Sequence, residues 1–494
     1  MDKIHFHFLV PVLLIMMLFN ACRQSEIKPP EPYGALPSAA QLQWHKMEYY
    51  GFLHFGLNTF TGQEWGYGDI SPEEFNPTDF NADQIVGTAS AAGMKGLILT
   101  CKHHDGFCLW PSKYTDYSVK NSPWKNGKGD VVKEISEACA KYGLKFGVYL
   151  SPWDRNHPHY GKPEYIEYYR NQLRELLSNY GPVFEVWFDG ANGGNGWYGG
   201  ADEERKIDRS TYYDWENTWK IVRELQPDAV IFSDVGPDVR WVGNENGIAG
   251  DPCWATYTPI ATDSSNPTPG NVKYQSGQNG TRNGEFWMPA ECDVSIRPGW
   301  FYHEDQDSLV KLPKYLLDLY FKSVGRGASL LLNIPPDKRG RITKADSLNL
   351  IEFKLLRDQV FKTNLAQKAK LTASNVRGEL DEYSPLNLVI DDPEKYWSTD
   401  DIIHEPELLL EFENMVVFNV ISLQEYLPLG QRIDRWAFDI WENDQWIQIA
   451  EETSIGNKRL WKGEPQTTNK VRLRVIESPV SPAISKIGLF LEKP

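Results

Sequence analysis

The 494-residue sequence predicts an α/β chain in which a (β/α)8 TIM-like barrel precedes an all-β sandwich, and three observations carry that expectation. Short apolar runs alternate with helical patterns from about residue 45 to 365, as repeated βα units around a parallel sheet require. A polar residue follows run after run. Beyond about residue 370 the texture becomes an alternation of period two.

Taken in order, the apolar runs place strands at 52–55, 96–101, 145–150, 184–188, 229–232, 285–290 and 329–334, and the eighth strand is expected within the irregular stretch 254–284. Between them, Val132, Ile135, Cys139 and Tyr142 recur at helical spacing and Gly143 follows as a stop. Pro163 opens a second helix carrying Ile166, Tyr169, Leu173, Leu176 and Tyr180. The residues that follow the runs are His54, His103, His104, Asp189, Asp234, Glu291 and Asn333. In a barrel the C-terminal strand ends share one face, so these scattered residues can meet in one pocket. An open doubly wound sheet would want a Gly-rich phosphate loop after the first strand, and Phe55-Gly56-Leu57-Asn58 offers none. In the C-terminal part, Trp436, Phe438 and Ile440 alternate with Ala437, Asp439 and Trp441, and Val471, Leu473 and Val475 repeat the pattern, as short sandwich strands do.

At the N-terminus, Met1-Asp2-Lys3 precedes an apolar run from Phe8 to Phe19 that is too short to span a bilayer and reads as a signal-peptide core. The run ends at Asn20-Ala21-Cys22, a small residue before Cys that resembles a lipobox, so the expected mature chain begins at a lipidated Cys22. The organisation expected is a signal peptide over 1–21, a polar Pro-rich tether over 22–40, a catalytic barrel over 41–365 and a sandwich over 370–494. The protein is then exported, a periplasmic or cell-surface lipoprotein that meets the membrane only through its anchor. A net charge of -16 and a pI near 5.2 repel phosphate backbones, which argues against a nucleic-acid partner. Aromatic residues at 13%, with 18 Trp and 24 Tyr, suit stacking on the apolar faces of sugars, although they are equally ordinary core material. Cys101, Cys108, Cys139, Cys253 and Cys292 form no CxxC pair, so neither a disulfide framework nor a zinc ribbon is indicated.

The chemistry concentrates in a few segments. Glu185-Val186-Trp187-Phe188-Asp189-Gly190 sets a carboxylate at the tip of an apolar strand, followed by a Gly that admits close approach. Asp189 is the candidate nucleophile for a retaining glycosidase, which needs a second carboxyl group to protonate the leaving oxygen; a turn or capping Asp is the plainer role. The second carboxyl is Glu245, in the Gly-rich loop after Trp241, or Glu291, which could equally be a buried structural acid. His103 and His104 can hydrogen-bond vicinal hydroxyls. Because neighbours on an extended strand point to opposite faces, and no HxH or HExxH spacing accompanies them, neither a metal nor any other cofactor is expected. Glu64-Trp65, Tyr149 and Trp300 are further candidates, and Trp187 reads as barrel core.

Together, His54-Phe55-Gly56, Glu64-Trp65, Lys102-His103-His104-Asp105-Gly106-Phe107, Gly147-Val148-Tyr149 and Trp187-Phe188-Asp189-Gly190 resemble the glycoside hydrolase family 29 α-L-fucosidases over residues 40 to 360. The resemblance implies Asp189 as nucleophile and a fucose pocket lined by His54, Glu64, Trp65, His103, His104 and Tyr149. Arg240-Trp241-Val242-Gly243-Asn244-Glu245 with Ser295-Ile296-Arg297-Pro298-Gly299-Trp300 is similar to the subfamily that prefers branched α-1,3/1,4-fucosides. That similarity makes Glu245 the acid/base, Glu291 its reserve and Trp300 a substrate contact. Fucosylated oligosaccharides are the expected partners; a non-catalytic glycan-capture lipoprotein is the alternative. A Gly-rich insertion at 193–202, directly after the nucleophile, departs from the pattern and bears on linkage preference. Ile390-Asp391-Asp392 and Tyr396-Trp397-Ser398-Thr399-Asp400 resemble discoidin-like (F5/8 type C) modules, which either bind sugar or brace the barrel.

Overall fold

The computed structural model describes residues 27–493, so the signal peptide and Cys22 lie outside the described residues. Eight parallel strands close into a barrel: β1 Tyr49–Leu53, β2 Gly96–Lys102, β3 Lys145–Leu150, β4 Val183–Trp187, β5 Val230–Ser233, β6 Val239–Trp241, β7 Ala290–Ser295 and β8 Ser329–Asn333, with β8 returning to β1. The helices of seven or more residues are α1 Ala39–His45, α2 Ala82–Ala91, α3 Val131–Tyr142, α4 Pro163–Asn179, α5 Trp215–Leu225, α6 Pro313–Lys322 and α7 Lys344–Val360. Period-two alternation divides the β1 side chains. Tyr50 and Phe52 join the barrel interior with Ile98, Tyr149, Trp187, Phe232 and Leu331, whereas Tyr49 and Leu53 pack outward under the helices. α1 plugs the N-terminal end, its Trp44 donating the indole N–H to Glu185 at 3.1 Å.

Two strand expectations are corrected. The eighth strand is β6, three residues long, and it follows β5 after only five residues without a helix. A three-residue strand shows no period, and it carries Arg240, a residue that apolar patterning does not select. Arg240 is fully buried because its guanidinium donates to the carbonyls of Gly277 at 2.8 Å and Trp254 at 2.9 Å, which ties the long loop after β6 to the barrel. Within 254–284 only Thr256–Tyr257 is extended, and it pairs with Phe286–Trp287 in a separate ladder. The barrel strand therefore begins at Ala290, not at 285, and Glu291 stands near its start.

The C-terminal domain is all-β and antiparallel. Its strands are β9 Lys370–Ala373, β10 Trp397–Ser398, β11 Glu407–Glu425, β12 Arg435–Glu442, β13 Gln445–Thr453, β14 Arg459–Glu477 and β15 Ala483–Phe490. Hydrogen bonds join them in the order β10-β15-β11-β14-β12-β13, with β9 on β11. The 19-residue β11 and β14 are paired along most of their lengths with register shifts after Glu411 and Phe418, irregularities that let one connected sheet enclose a core of Leu408, Leu410, Trp436, Phe438, Leu473 and Ile484. Val420, Leu460 and Phe490 from this domain sit in the barrel's outer hydrophobic cluster, and the Leu460 N–H donates to the Gly325 carbonyl at 2.8 Å. Residues 28–33, read above as tether, are bound to the same domain: Arg377 donates to the Lys28 carbonyl at 2.6 Å, Arg432 to that of Glu31 at 2.9 Å, and the Tyr33 N–H to that of Leu429 at 3.0 Å. Buried arginines take up the polar backbone of a segment whose prolines cannot pair with one another.

Candidate active site

A cavity of about 410 Å3 opens at the C-terminal ends of the barrel strands, where it is lined by His54, Glu64, Trp65, His103, His104, Tyr149, Asp189, Glu245 and Trp300. A larger cleft of about 1000 Å3, between the barrel and the β domain, contains none of these residues.

Asp189 follows β4 by two residues. Its Oδ2 accepts the Tyr149 hydroxyl at 2.8 Å and its Oδ1 accepts the Ala191 N–H at 2.7 Å. Burial pushes its carboxyl above the ordinary range, and the two donors oppose that shift by favouring the anion. Tyr149 lies in β3 and points inward beside Trp187, with ring centroids 5.3 Å apart. Trp187 therefore serves both readings, as a member of the interior cluster that also forms the cavity floor.

The two adjacent histidines line the same cavity instead of facing opposite ways. β2 ends at Lys102 after a register shift at Cys101, so the alternation of an extended strand does not govern His103 and His104, and their ring centroids are 4.1 Å apart. Burial lowers the pKa of His104 to about 3, leaving it neutral. Ser151 donates its hydroxyl to the Trp153 carbonyl at 2.7 Å and so accepts from His104 Nδ1, also at 2.7 Å. The lone pair consequently sits on Nε2, 3.6 Å from Asp189 Oδ2, where the pair is not an ion pair because the imidazole is uncharged. His54 repeats the device. Its Nδ1 meets Asn333 Oδ1 at 2.9 Å, burial lowers its pKa to about 3, and Nε2 remains an acceptor. His103 is buried against Tyr149 and Phe301, burial holds its pKa well below the usual range, and its Nδ1 has no partner among the described residues. Neutral imidazoles beside a carboxyl held by two donors suit sugar hydroxyls, which donate to the nitrogen and accept from neighbours.

Glu245 stands on the loop after β6 at the cavity mouth. Trp300 donates its indole N–H to Glu245 Oε2 at 3.3 Å. Although solvent reaches Glu245, partial burial raises its pKa, Trp300 offsets part of that, and the negative charges of Asp189 and Glu64 add to the rise. Two carboxyl groups on one cavity, one held by two donors and the other with its pKa raised at the mouth, are the kind of pair an acid and a nucleophile need. Glu64 binds the Trp300 loop directly, accepting the Trp300 N–H at 2.8 Å and meeting His303 Nε2 at 2.6 Å. Trp65 is 53% exposed at the rim and sets its edge against His104 and Trp153.

Glu291 is not brought to the cavity. It lies low in the barrel with no exposure, accepting the Trp187 indole at 2.8 Å and the Tyr50 hydroxyl, and it faces Glu185. Burial raises the pKa of both acids, and the Glu291 charge adds to the rise at Glu185. Sequence reasoning also left residues out: Asp293, Trp153, Arg209 and Tyr274 line the cavity, as does Asp234, which was named only for its place after a strand. Asp234 was legible as the residue closing a strand; Asp293 was hidden by the misplaced start of β7.

A family profile described as Alpha-L-fucosidase matches residues 33–353. Alpha-L-fucosidase 1 of Arabidopsis thaliana is 42% identical over 494 residues, covering 99% of this chain and 94% of that protein. A crystal structure of a glycoside hydrolase 29 family member from an unknown rumen bacterium aligns with a TM-score of 0.83 at 44% identity, covering 94% of this chain and 78% of that one. A Ruminococcus gnavus family 29 fucosidase, solved in complex with fucose, aligns with a TM-score of 0.84 at 34% identity over 96% of this chain and 98% of that one.

Proposed function

This chain belongs to the α-L-fucosidase family of glycoside hydrolases, and we propose that it is a retaining exo-enzyme that removes terminal α-1,3/1,4-linked fucose from oligosaccharides or glycoconjugates. Asp189 attacks the anomeric carbon to form a fucosyl-enzyme while Glu245 gives its proton to the departing oxygen; Glu245 then takes a proton from the water that releases fucose. The observation that supports this reading is the meeting on one cavity of a carboxyl held by two donors, Asp189, with a second carboxyl, Glu245, whose pKa is raised by partial burial and by neighbouring negative charge. The lone pairs of His54 and His104, with His103 beside them, receive the fucose hydroxyls. Tyr149 orients Asp189, while Trp65 and Trp300 offer apolar faces. The linkage preference is supported by the Trp241–Glu245 and Ser295–Trp300 segments, which meet through the Trp300–Glu245 bond.

We further infer export as a lipoprotein anchored through Cys22, on the strength of the apolar run and the Ala21-Cys22 junction. Labelled fatty acid should enter the native chain and not Cys22→Ala. The C-terminal domain we read as discoidin-like and bracing: Trp397 of the resembling segment is in the core and Asp400 accepts the Gly378 N–H at 2.9 Å.

The test is fucose release from a Lewis-type trisaccharide and from an α-1,2-fucoside. Release from the Lewis sugar alone, abolished in Asp189→Ala and reduced in Glu245→Ala, is expected. Binding without release by the native protein would replace catalysis with glycan capture.

A further inference from the structure

The N-terminal end of the barrel, opposite the face that carries Asp189, holds a separate cavity. It has a volume of about 340 Å3 and lies between the starts of β1 and β2, the last turn of α7, and β11 and β15 of the β domain. It is cationic within an anionic chain, since Lys95, Arg357, Lys458 and Lys486 line it against two acids, Glu48 and Asp358. Both acids are already held. Glu48 accepts from Lys458 at 2.5 Å and from the Tyr320 hydroxyl at 2.9 Å, and Asp358 is taken by Lys354.

Lys458 and Lys486 have ion-pair partners, the latter Asp391 at 3.0 Å, which leaves Arg357 and Lys95. The Arg357 guanidinium lies 5.5 to 5.7 Å from the ring centroids of Tyr49, Phe353 and Tyr320 and donates no hydrogen bond among the described residues. Its one carboxylate contact there is the adjacent Asp358 at 3.5 Å, and its side chain is 15% exposed. Aromatic faces attract the charge without accepting its N–H groups as a carboxylate or phosphate does. Gly93, at φ +77°, gives the guanidinium room, since a Cβ there would lie 2.7 Å from Nη2. The Tyr49 hydroxyl on the same cavity is buried and has no partner among the described residues. Burial pushes that hydroxyl's pKa up and the Arg357 charge opposes the rise, so the two are within electrostatic reach. Lys95 is exposed and has no ion pair among the described residues.

Buried polar groups are ordinarily satisfied, so a hydroxyl and a guanidinium that both lack an acceptor on one cavity call for a guest that brings one. Tyr49, Lys95 and Arg357 all present donors. A neutral sugar would set its own hydroxyl donors against them, whereas an oxyanion only accepts and is attracted by the two uncompensated charges. We propose that the cavity is an oxyanion site in which Tyr49, Lys95 and Arg357 bind a small free phosphate or sulfate ion, and that the ion braces the barrel against the β domain. With Tyr49 1% exposed and Arg357 recessed, a phosphate fixed in a bilayer surface cannot reach them. The inference is independent of the catalytic reading, because the two cavities lie at opposite ends of the barrel.

The experiment titrates sodium phosphate, and separately sodium sulfate, into the native protein, Tyr49→Phe and Lys95→Met by calorimetry at constant ionic strength in chloride. It also records thermal midpoints with and without each anion at low millimolar concentration. Saturable binding of at least one anion by the native protein is expected, weakened about tenfold or more in Tyr49→Phe and several-fold in Lys95→Met. The anion should raise the midpoint of the native protein more than that of either variant. Because both anions also stabilise proteins by exclusion from their surfaces, the difference between native and variant carries the result. Without either anion Tyr49→Phe should melt no lower than the native protein, since the hydroxyl has no partner to lose, and this separates loss of binding from loss of fold. No saturable binding of either anion by the native protein, affinity unchanged in Tyr49→Phe, or equal stabilisation of all three proteins would overturn the site.

Discussion

At the scale of single residues, opposite limbs of the pH profile belong to different side chains under the proposed mechanism. The Tyr149 hydroxyl lowers the Asp189 pKa, so Tyr149→Phe should raise it, and the acid limb of kcat/KM should move to higher pH by roughly one unit. The Trp300 indole lowers the Glu245 pKa in the same way, so Trp300→Phe should leave the acid limb in place and move the alkaline limb upward. A pH–rate series on the three proteins checks both, and movement of the wrong limb contradicts the assignment. Glu291→Gln should behave differently. It disturbs the Tyr50 and Trp187 donors and costs about 1–3 kcal/mol of stability, read by thermal melting, while activity survives to a far greater extent than in Asp189→Ala. His54, His103, His104 and Asp189 were legible because each follows an apolar run. The burial of Glu291 and the neutral state of the histidines were not, since both depend on neighbours that only the closed barrel supplies.

At the scale of elements, the loop from Ser295 to His303 decides where the acid stands. Arg297, with no exposure, pairs with Asp346 of α7 at 3.0 Å and with Asp307 at 2.8 Å, and it donates to Thr343 at 3.1 Å. Asn333 accepts from His54 and donates to the Trp300 carbonyl at 2.7 Å, so β8 joins the His54 imidazole to the same loop. Removing the guanidinium leaves the buried Asp346 charge uncompensated. Arg297→Met should therefore destabilise the protein by about 3–5 kcal/mol in chemical denaturation and lower kcat through misplacement of Trp300 and Glu245. Six of the eight barrel strands were legible as apolar runs, none more than three residues off at either end. β6 was not, because Val239–Trp241 is too short to show a period and its Arg240 is paid for by carbonyls more than ten residues away in sequence. The start of β7 was lost for a related reason: the preceding apolar run belongs to the ladder with Thr256–Tyr257.

At the scale of the whole molecule, barrel and β domain share a core, since Val420, Leu460 and Phe490 are packed into the barrel's hydrophobic cluster and Arg459 reaches Asp251 at 2.8 Å. Calorimetry should accordingly show one unfolding transition, and Leu460→Asp should split it or lower the midpoint sharply. The period-two alternation announced an all-β domain, but not that two 19-residue strands would join it into one sheet, because register shifts leave no mark on alternation over so short a window. Nor did composition show that residues 28–33 would dock on that domain through Arg377 and Arg432. The proposed retaining mechanism turns on a covalent step at Asp189. The most direct measurement is the intact mass, followed by peptide mapping, of protein treated with a 2-deoxy-2-fluoro-α-L-fucosyl donor that forms the glycosyl-enzyme quickly and releases it slowly. One fluorofucosyl group on the peptide carrying Asp189, absent in Asp189→Ala, is the predicted result. Turnover of fucosides by the native protein with no adduct, or an adduct on another carboxylate, would contradict it.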